Sequence, residues 1–518
     1  MRLHDYLEYR ARTSPELEFA VDGDRRLLYG EADAEANRIA HALVAAGLEV
    51  GDRFAVLAKN CVELALVYYA ASKAGVVPVP LNYRLAPPEW SYIVNDAAAK
   101  LLVARGDLAA AIDGVRGGLA SVRRCIAIGA PPRGWEAWED FVGGLPTTPV
   151  ARRVGEEADL YQMYTSGTTG RPKGAVLAQR AVCANVHQAG MNFGAGPGDR
   201  CLLVAPLYHA AAGIVSFSTV AAGGSLYLQE DFDPRRVVRA LAEERIAVAL
   251  LVPAMLQFCL VAVPDAAERR YPELRLIIYG ASPIAEQTLR EAARVFRCDF
   301  LQGYGMTETT AVATQLSTAD HRRALAGEPA LLASAGRAIL GTELRIADAE
   351  GRPVPEGATG EILVRGPQLM RGYWNLPDAT REALRDGWMH TGDAGRLDAN
   401  GYLYLQDRVK DMIVSGGENI YPREIEDVLY QHPAVAEAAV IGVPDEAWGE
   451  VVKAFVVRRP GAAASADQLV EFFRSRLAGY KRPRSVDFVE ALPRNPSGKV
   501  LKRELREPYW RGRARRVN

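Results

Sequence analysis

The chain of 518 residues is short of several things, and each shortage excludes a class of protein. It has no charge of one sign to spare: 62 Lys+Arg stand against 63 Asp+Glu, a net charge of −1. No global field therefore points to nucleic acid or an anionic membrane. Cysteine is scarce and scattered, at Cys61, Cys125, Cys183, Cys201, Cys259 and Cys298. No two form a C-x-x-C pair and none sits at zinc-finger spacing from a histidine, so core thiols in a reducing compartment are expected. The opening MRLHDYLEYRARTSPE has no apolar signal-peptide core, and the closing RRVN is neither a prenylation box nor SKL. A cytoplasmic protein is expected on that basis. Repeats and low-complexity runs are missing too. With 49% apolar and 24% charged residues, the chain is not disordered, fibrous or collagenous.

One stretch, Cys201 to Gln229, lacks Asp, Glu, Lys and Arg and is long enough to cross a bilayer. Pro206, Tyr208, His209, Gly213, Gly223 and Gly224 punctuate it. It reads as strand (CLLVAPL), polar elbow (YHA), buried helix (AAGIVSFSTVAAG) and strand (SLYLQ), so no transmembrane segment is expected.

Over most of the first 400 residues, short apolar runs bounded by Gly, Pro and Asn alternate with helical stretches. FAVLAKN, VVPVPLN, KLLVA, RCIAIG, VALLVPAM and LRLIIYG read as buried strands of βα units, hence a mostly parallel α/β system. From Gly336 the texture changes to turn-rich, alternating segments that suggest antiparallel hairpins. A second shift near DRVKDMIVSGG introduces a small α+β region. There Ser465-x-x-Gln468 forms a capping box ahead of Leu469, Phe472, Phe473 and Leu477. From Arg474 onward 14 Lys/Arg face four Asp/Glu. Both a solvated basic face and a surface for a polyanionic small molecule fit that excess.

The strongest chemical signal is Tyr164-Thr165-Ser166-Gly167-Thr168-Thr169-Gly170-Arg171-Pro172-Lys173-Gly174. Three glycines let backbone N–H groups converge, four hydroxyls add donors, and Lys173 adds a positive charge. Such a loop suits phosphate oxygens, although its spacing is not that of a Walker A loop.

This loop resembles the signature phosphate loop of the adenylate-forming superfamily, which holds acyl-CoA and aryl-CoA synthetases, peptide-synthetase adenylation domains and beetle luciferases. Further segments resemble that family's motifs in order. They are Gly303-Tyr304-Gly305-Met306-Thr307-Glu308, Thr391-Gly392-Asp393, Asp407-Arg408-Val409-Lys410-Asp411, Gly416-Gly417-Glu418 and Pro493-Arg494-Asn495-Pro496-Ser497-Gly498-Lys499. The resemblance covers essentially the whole chain. It implies a large N-terminal domain (1–409) of α/β sheets with a distorted β-barrel, and a small mobile α+β domain (410–518). A hinge at Lys410 joins them. Asp407 departs from the glycine usual before the hinge arginine.

The resemblance also implies a chemistry. A carboxylate attacks the α-phosphate of ATP to give an acyl-adenylate and pyrophosphate, and the acyl group then passes to the thiol of CoA. Lys499 would bridge the two anions, a charge placed where the transition state develops it. Glu308 would hold Mg²⁺, and Thr307 would touch the phosphate. Thr165, Ser166, Gly167, Thr168, Thr169, Gly170 and Lys173 would cradle phosphates. Asp393 and Arg408 would meet the ribose. Tyr304 and Gly303 would lie on the adenine, with Gly280, Ala281 and Ser282 at its edge. Gly416 and Gly417 would approach the pantetheine thiol.

The acid pocket would be built from His209, Ala210, Ala211, Ala281, Gly303, Gly305 and Met306. No acid follows Tyr208, where peptide-synthetase domains place the Asp that pairs with an amino group. Gly305 stands where acetate-type members have Trp. Both features point to a medium-chain, long-chain or aryl acid, although the alanines also suit simple helix packing. An alternative acceptor is a carrier-protein phosphopantetheine. Only 82 residues separate Glu308 from Thr391, which leaves little room for the insertion usual in carrier-loading relatives. Nucleic acid is not an expected partner, a monomer or homodimer is expected, and a long-chain acid leaves peripheral membrane contact open.

Overall fold

In the computed structural model the described residues are 1–165, 171–282, 284–408, 411–415, 418–474, 476–494 and 500–511. Of Asp407, Arg408, Glu418 and Asn419 only the backbone is described. The chain divides into two compact units, Met1–Leu344 with Val364–Met389, and Arg345–Leu363 with His390–Asn518. Segments 345–363 and 390–408, expected with the large domain, thus cluster with the smaller unit.

The first unit is built on apolar runs too short for helices and buried on both faces. Ile246–Leu250 and Arg53–Leu57 are buried at every position. That burial is the signature of strands inside a parallel sheet. Six strands make the parallel body of a nine-stranded sheet, in the order Asp299–Tyr304, Leu276–Gly280, Ile246–Leu250, Arg200–Leu203, Ser225–Leu228 and Glu18–Asp22. Antiparallel pairing closes both edges, through Thr314–Leu316 and Arg337–Ala338 on one side and Arg25–Leu28 on the other. A second, all-parallel sheet of five strands runs Val77–Pro80, Arg53–Leu57, Leu101–Arg105, Arg124–Ile128 and Glu136–Ala137.

The charge-free stretch resolves as its punctuation predicts: strand Arg200–Leu203, helix Ala210–Ala222, strand Ser225–Leu228. Phe217 on that helix is 1% exposed, and its ring lies 5.4 Å from Tyr68, 6.0 Å from Tyr69 and 6.4 Å from Tyr161. The cluster locks helices Ala210–Ala222 and Val62–Ala74 onto strand Asp159–Thr165. Truncating a ring packed this way costs about 3–5 kcal/mol. No helix among the described residues is long and apolar enough to cross a membrane.

The second unit is mainly antiparallel. Strand Leu403–Arg408 pairs with the 393–397 part of Trp388–Leu397. A further sheet orders Glu418–Ile420, Ile413–Ser415, Gly449–Arg458 and Val435–Asp445, with Ser485–Phe488 parallel to Gly449–Arg458. Its core gathers Ile413, Ile425, Leu429, Val440, Val456, Leu469 and Phe473. The expected capping box is present: Ser465 Oγ accepts from Gln468 N at 3.2 Å and Gln468 Oε1 from Ser465 N at 2.9 Å. All six cysteines are free thiols, and burial pushes Cys125 up to about 11 and Cys183, Cys201, Cys259 and Cys298 to about 12.

Candidate active site

In parallel α/β sheets, ligands meet the carboxyl ends of the strands. Three of the expected segments stand there in the first unit. Gly280 closes Leu276–Gly280, Gly303 and Tyr304 close Asp299–Tyr304, and His209 caps helix Ala210–Ala222 after Arg200–Leu203. Gly280 and Gly303 are direct partners across the two strands. A Cβ on Gly280 would come within 2.3 Å of the Gly303 carbonyl oxygen, so the strand ends approach as closely as backbone permits. Ala281 follows at φ +64°, a left-handed conformation uncommon outside glycine. Ala281 and Ser282 are exposed.

Gly305 and Met306 lead into a single turn, Thr307–Thr309, which sets Glu308. Glu308 is only 4% exposed. The Tyr373 hydroxyl donates to Glu308 Oε1 at 2.8 Å. The Met370 N–H donates to the Glu308 carbonyl at 2.8 Å, fixing the turn itself. Gly305 has a main-chain reason to be glycine: a Cβ would lie 2.1 Å from the Ala311 carbonyl oxygen. Of the alanines expected to line an acid pocket, Ala210 is buried while Ala211 is exposed. Ala212 is buried as well. The helix-packing reading therefore accounts for Ala210 and Ala212, and Ala211 keeps an open face. The His209 ring lies 4.3 Å from that of Tyr208.

Thr165 and Lys173 face each other where strands Asp159–Thr165 and Lys173–Ala178 leave the phosphate loop. The loop residues Ser166, Gly167, Thr168, Thr169 and Gly170 lie outside the described residues. The Lys173 ammonium stands 5.0 Å from the centre of the Tyr373 ring. One phenol thus touches both a loop cation through its face and the Glu308 carboxylate through its hydroxyl. Sequence reading missed Tyr373, whose partner is 65 positions away. Its signal was the GYW triplet that pairs with the loop hairpin at Gly372–Val176 and Tyr373–Ala175.

In the second unit, Asp393 and Arg408 are backbone partners across strands Trp388–Leu397 and Leu403–Arg408. The Asp393 N–H donates to Thr391 Oγ1 at 3.1 Å, and Thr391 Oγ1 donates to the Ile362 carbonyl at 2.7 Å. Gly392 sits at φ +68° and donates its N–H to Glu361 Oε1 at 2.9 Å. Glu361, also missed, accepts from His390 Nδ1 through its other oxygen at 2.8 Å. Lys410, Gly416, Gly417 and Lys499 lie outside the described residues.

Residues 7–374 match the AMP-binding enzyme family, and residues 424–499 match the AMP-binding enzyme C-terminal domain. A fatty acid–acyl-carrier-protein ligase of Streptomyces coeruleorubidus is 39% identical, covering 98% of this chain and 97% of its own. A feruloyl-CoA synthase of an Amycolatopsis species is 40% identical, covering 96% and 97%. Among solved structures, a Mycobacterium tuberculosis fatty acyl CoA synthetase is 37% identical and superposes with a TM-score of 0.79 over 99% of both chains. With family models matched over residues 7–374 and 424–499 and relatives matched over nearly its whole length, the chain belongs to the AMP-binding enzymes, the adenylate-forming superfamily that includes the acyl-CoA and aryl-CoA synthetases.

Proposed function

We propose that this protein is a carboxylic acid–CoA ligase that activates a medium-chain, long-chain or aryl acid with ATP and releases AMP and pyrophosphate. The observation that carries the reading is Tyr373, which joins the phosphate-loop lysine to a nearly buried carboxylate in the first unit. A carboxylate so placed, an oxygen donor, fits a hard divalent cation. Glu308 would hold a magnesium ion, which supplies neutralising charge to the triphosphate. Lys173 and the hydroxyls of the loop bind phosphate oxygens, and Thr307 orients them. Asp393 and Arg408 hold the ribose hydroxyls, and Tyr304 stacks on the adenine with Gly280, Ala281 and Ser282 at its edge. Lys499 supplies the cation that lets the acid approach the α-phosphate. Lys410 is the hinge between residues 1–409 and 410–518, a division that falls inside the sequence of the second compact unit, and Gly416 and Gly417 admit the thiol.

A second acceptor, a carrier-protein phosphopantetheine, is supported by the similarity to the Streptomyces acyl-carrier-protein ligase. Pyrophosphate release across acids from acetate to palmitate, benzoates and cinnamates, with and without CoA, separates the two. Turnover that needs CoA on a narrow set of acids supports the ligase. A single burst that CoA does not relieve selects the carrier protein, and no release with any acid overturns the adenylation reading. Lys499→Ala is expected to abolish adenylate formation while sparing thioester formation from supplied acyl-adenylate. Equal loss of both half-reactions would refute that division of roles.

A further inference from the structure

Beside strands Asp159–Thr165 and Lys173–Ala178, five residues of the first unit close into a ring. The Tyr164 hydroxyl donates to Asp96 Oδ2 at 2.5 Å. Gln162 Nε2 donates to the Tyr164 hydroxyl at 3.0 Å, and Gln162 Oε1 accepts from Arg53 Nε at 3.2 Å. The Arg53 guanidinium stacks 3.5 Å from the centre of the Trp374 ring. Trp374 Nε1 then donates to the Asp96 carbonyl at 3.0 Å, which closes the circuit.

The ring grips both arms of the loop hairpin. Tyr164 and Gln162 belong to the strand that enters the loop. Trp374 holds the strand that leaves it, because its backbone N–H donates to the Gly174 carbonyl at 2.7 Å. The anchors come from elsewhere: Asp96 ends helix Pro87–Asp96, and Arg53 begins strand Arg53–Leu57. Arg53 is tied further by Asp159 Oδ2 at 2.9 Å and the Gly51 carbonyl at 2.5 Å. Gln162 is fully buried and Arg53 is 8% exposed, so water does not readily replace a lost partner. Burial, then the Asp96 carboxylate, raises the Tyr164 phenol far above its ordinary value, so it stays a proton donor. Gly174 also acquires a reason. A Cβ there would lie 2.6 Å from Gln162 Nε2 and 3.0 Å from Tyr164 Cζ, and would break the ring from inside.

We propose that Asp96, Tyr164, Gln162, Arg53 and Trp374 form a brace that presets the two feet of the phosphate loop, which makes them positioning residues for ATP. None of them needs to touch the nucleotide. Their effect is to remove, before ATP arrives, freedom that Thr165 and Lys173 would otherwise lose on binding.

The inference rests on the adenylation reading, so its test separates the two. Calorimetry first measures Mg·ATP binding to the whole enzyme, and failure of the unaltered protein to bind overturns the adenylation reading. Given binding, Tyr164→Phe and Arg53→Met are expected to weaken ATP by about tenfold, the worth of a buried hydrogen bond. KM for ATP in pyrophosphate exchange should rise in parallel while kcat changes less. Thioester formation from supplied acyl-adenylate should stay within about twofold of the unaltered enzyme, because that half-reaction does not use the triphosphate. Asp96→Asn, which keeps an acceptor for the phenol, should recover most of the ATP affinity that Asp96→Leu loses. Unchanged ATP affinity in Tyr164→Phe and Arg53→Met refutes the brace. So does equal loss in both half-reactions, which would mark a merely structural network.

Discussion

The segments expected to meet the nucleotide are shaped in different ways in the two units. In the first, glycines stand where strand ends and turns leave no room for a Cβ: 2.3 Å to a carbonyl at Gly280 and 2.1 Å at Gly305. In the second, Gly392 has nothing within 4 Å of where a Cβ would stand, and its demand is conformational, at φ +68°. The first unit is shaped by parallel strands whose carboxyl ends converge. The second relies on an antiparallel strand pinned by side-chain bonds to Glu361 and the Ile362 carbonyl. A glycine in a sequence motif thus carries two physical meanings, and only the surroundings tell them apart.

The contrast makes its largest prediction at Gly305. Gly305→Ala should destabilise the first unit by about 3 kcal/mol or more, because the obstacle is backbone rather than a movable side chain. Urea unfolding of the full chain reads the loss. Gly305→Trp should fail by instability, not by a clean shift toward short acids. A Gly305→Trp protein of ordinary stability that prefers acetate would break the contrast and restore the view that Gly305 keeps an acid pocket open.

An intermediate effect comes from acid. His4 and His321 both belong to the first unit and are 5% and 1% exposed. Burial, aided by Arg2, holds His4 down at about 4, and burial lowers His321 as well. His321 Nε2 pairs with the Tyr279 hydroxyl at 2.8 Å, on the strand that ends at Gly280. Folded, these rings stay neutral below the pH at which the unfolded chain takes up protons, near 6.5. Their stability contribution is therefore complete above about 6.5 and is lost as pH falls below it, for His4 progressively toward about 4. For His4 the loss at pH 5 is about 2 kcal/mol. Hydrogen exchange between about pH 7 and pH 5, corrected for intrinsic rates, should show the first unit opening ahead of the second. Equal opening of both would remove this difference.

Much of this was legible because the signals are local. Ile246–Leu250 and Leu276–Gly280 read as strands since burial on both faces demands an unbroken apolar run. The helix Ala210–Ala222 read through its flanking glycines and proline, and the capping box at Ser465 needs only four residues. The Tyr373–Glu308 bond, the ring of Asp96, Tyr164, Gln162, Arg53 and Trp374, and the carbonyl facing Gly305 were not legible. Arg53 and Gln162 are 109 positions apart, and Trp374 and Asp96 are 278 apart, so only the fold brings them together. The same holds for segments 345–363 and 390–408, whose place in the smaller unit depends on long-range strand pairing and not on composition.

The smallest effect, and the sharpest test of the comparison, lies at Gly392. With open space around it, an added methyl meets no atom, and the cost is that of a left-handed residue, about 1 kcal/mol. Gly392→Ala should lose that much stability. Gly392→Asn should lose less, since asparagine adopts this conformation more readily. The N–H donated to Glu361 is retained in both, so the strand carrying Asp393 keeps its anchor and KM for ATP should change by less than about threefold. A loss in Gly392→Ala as large as that in Gly305→Ala, with asparagine no better than alanine, would mean that the space beside Gly392 is filled in solution. Steric exclusion would then govern both units, and the distinction between crowded and merely twisted glycines would fall.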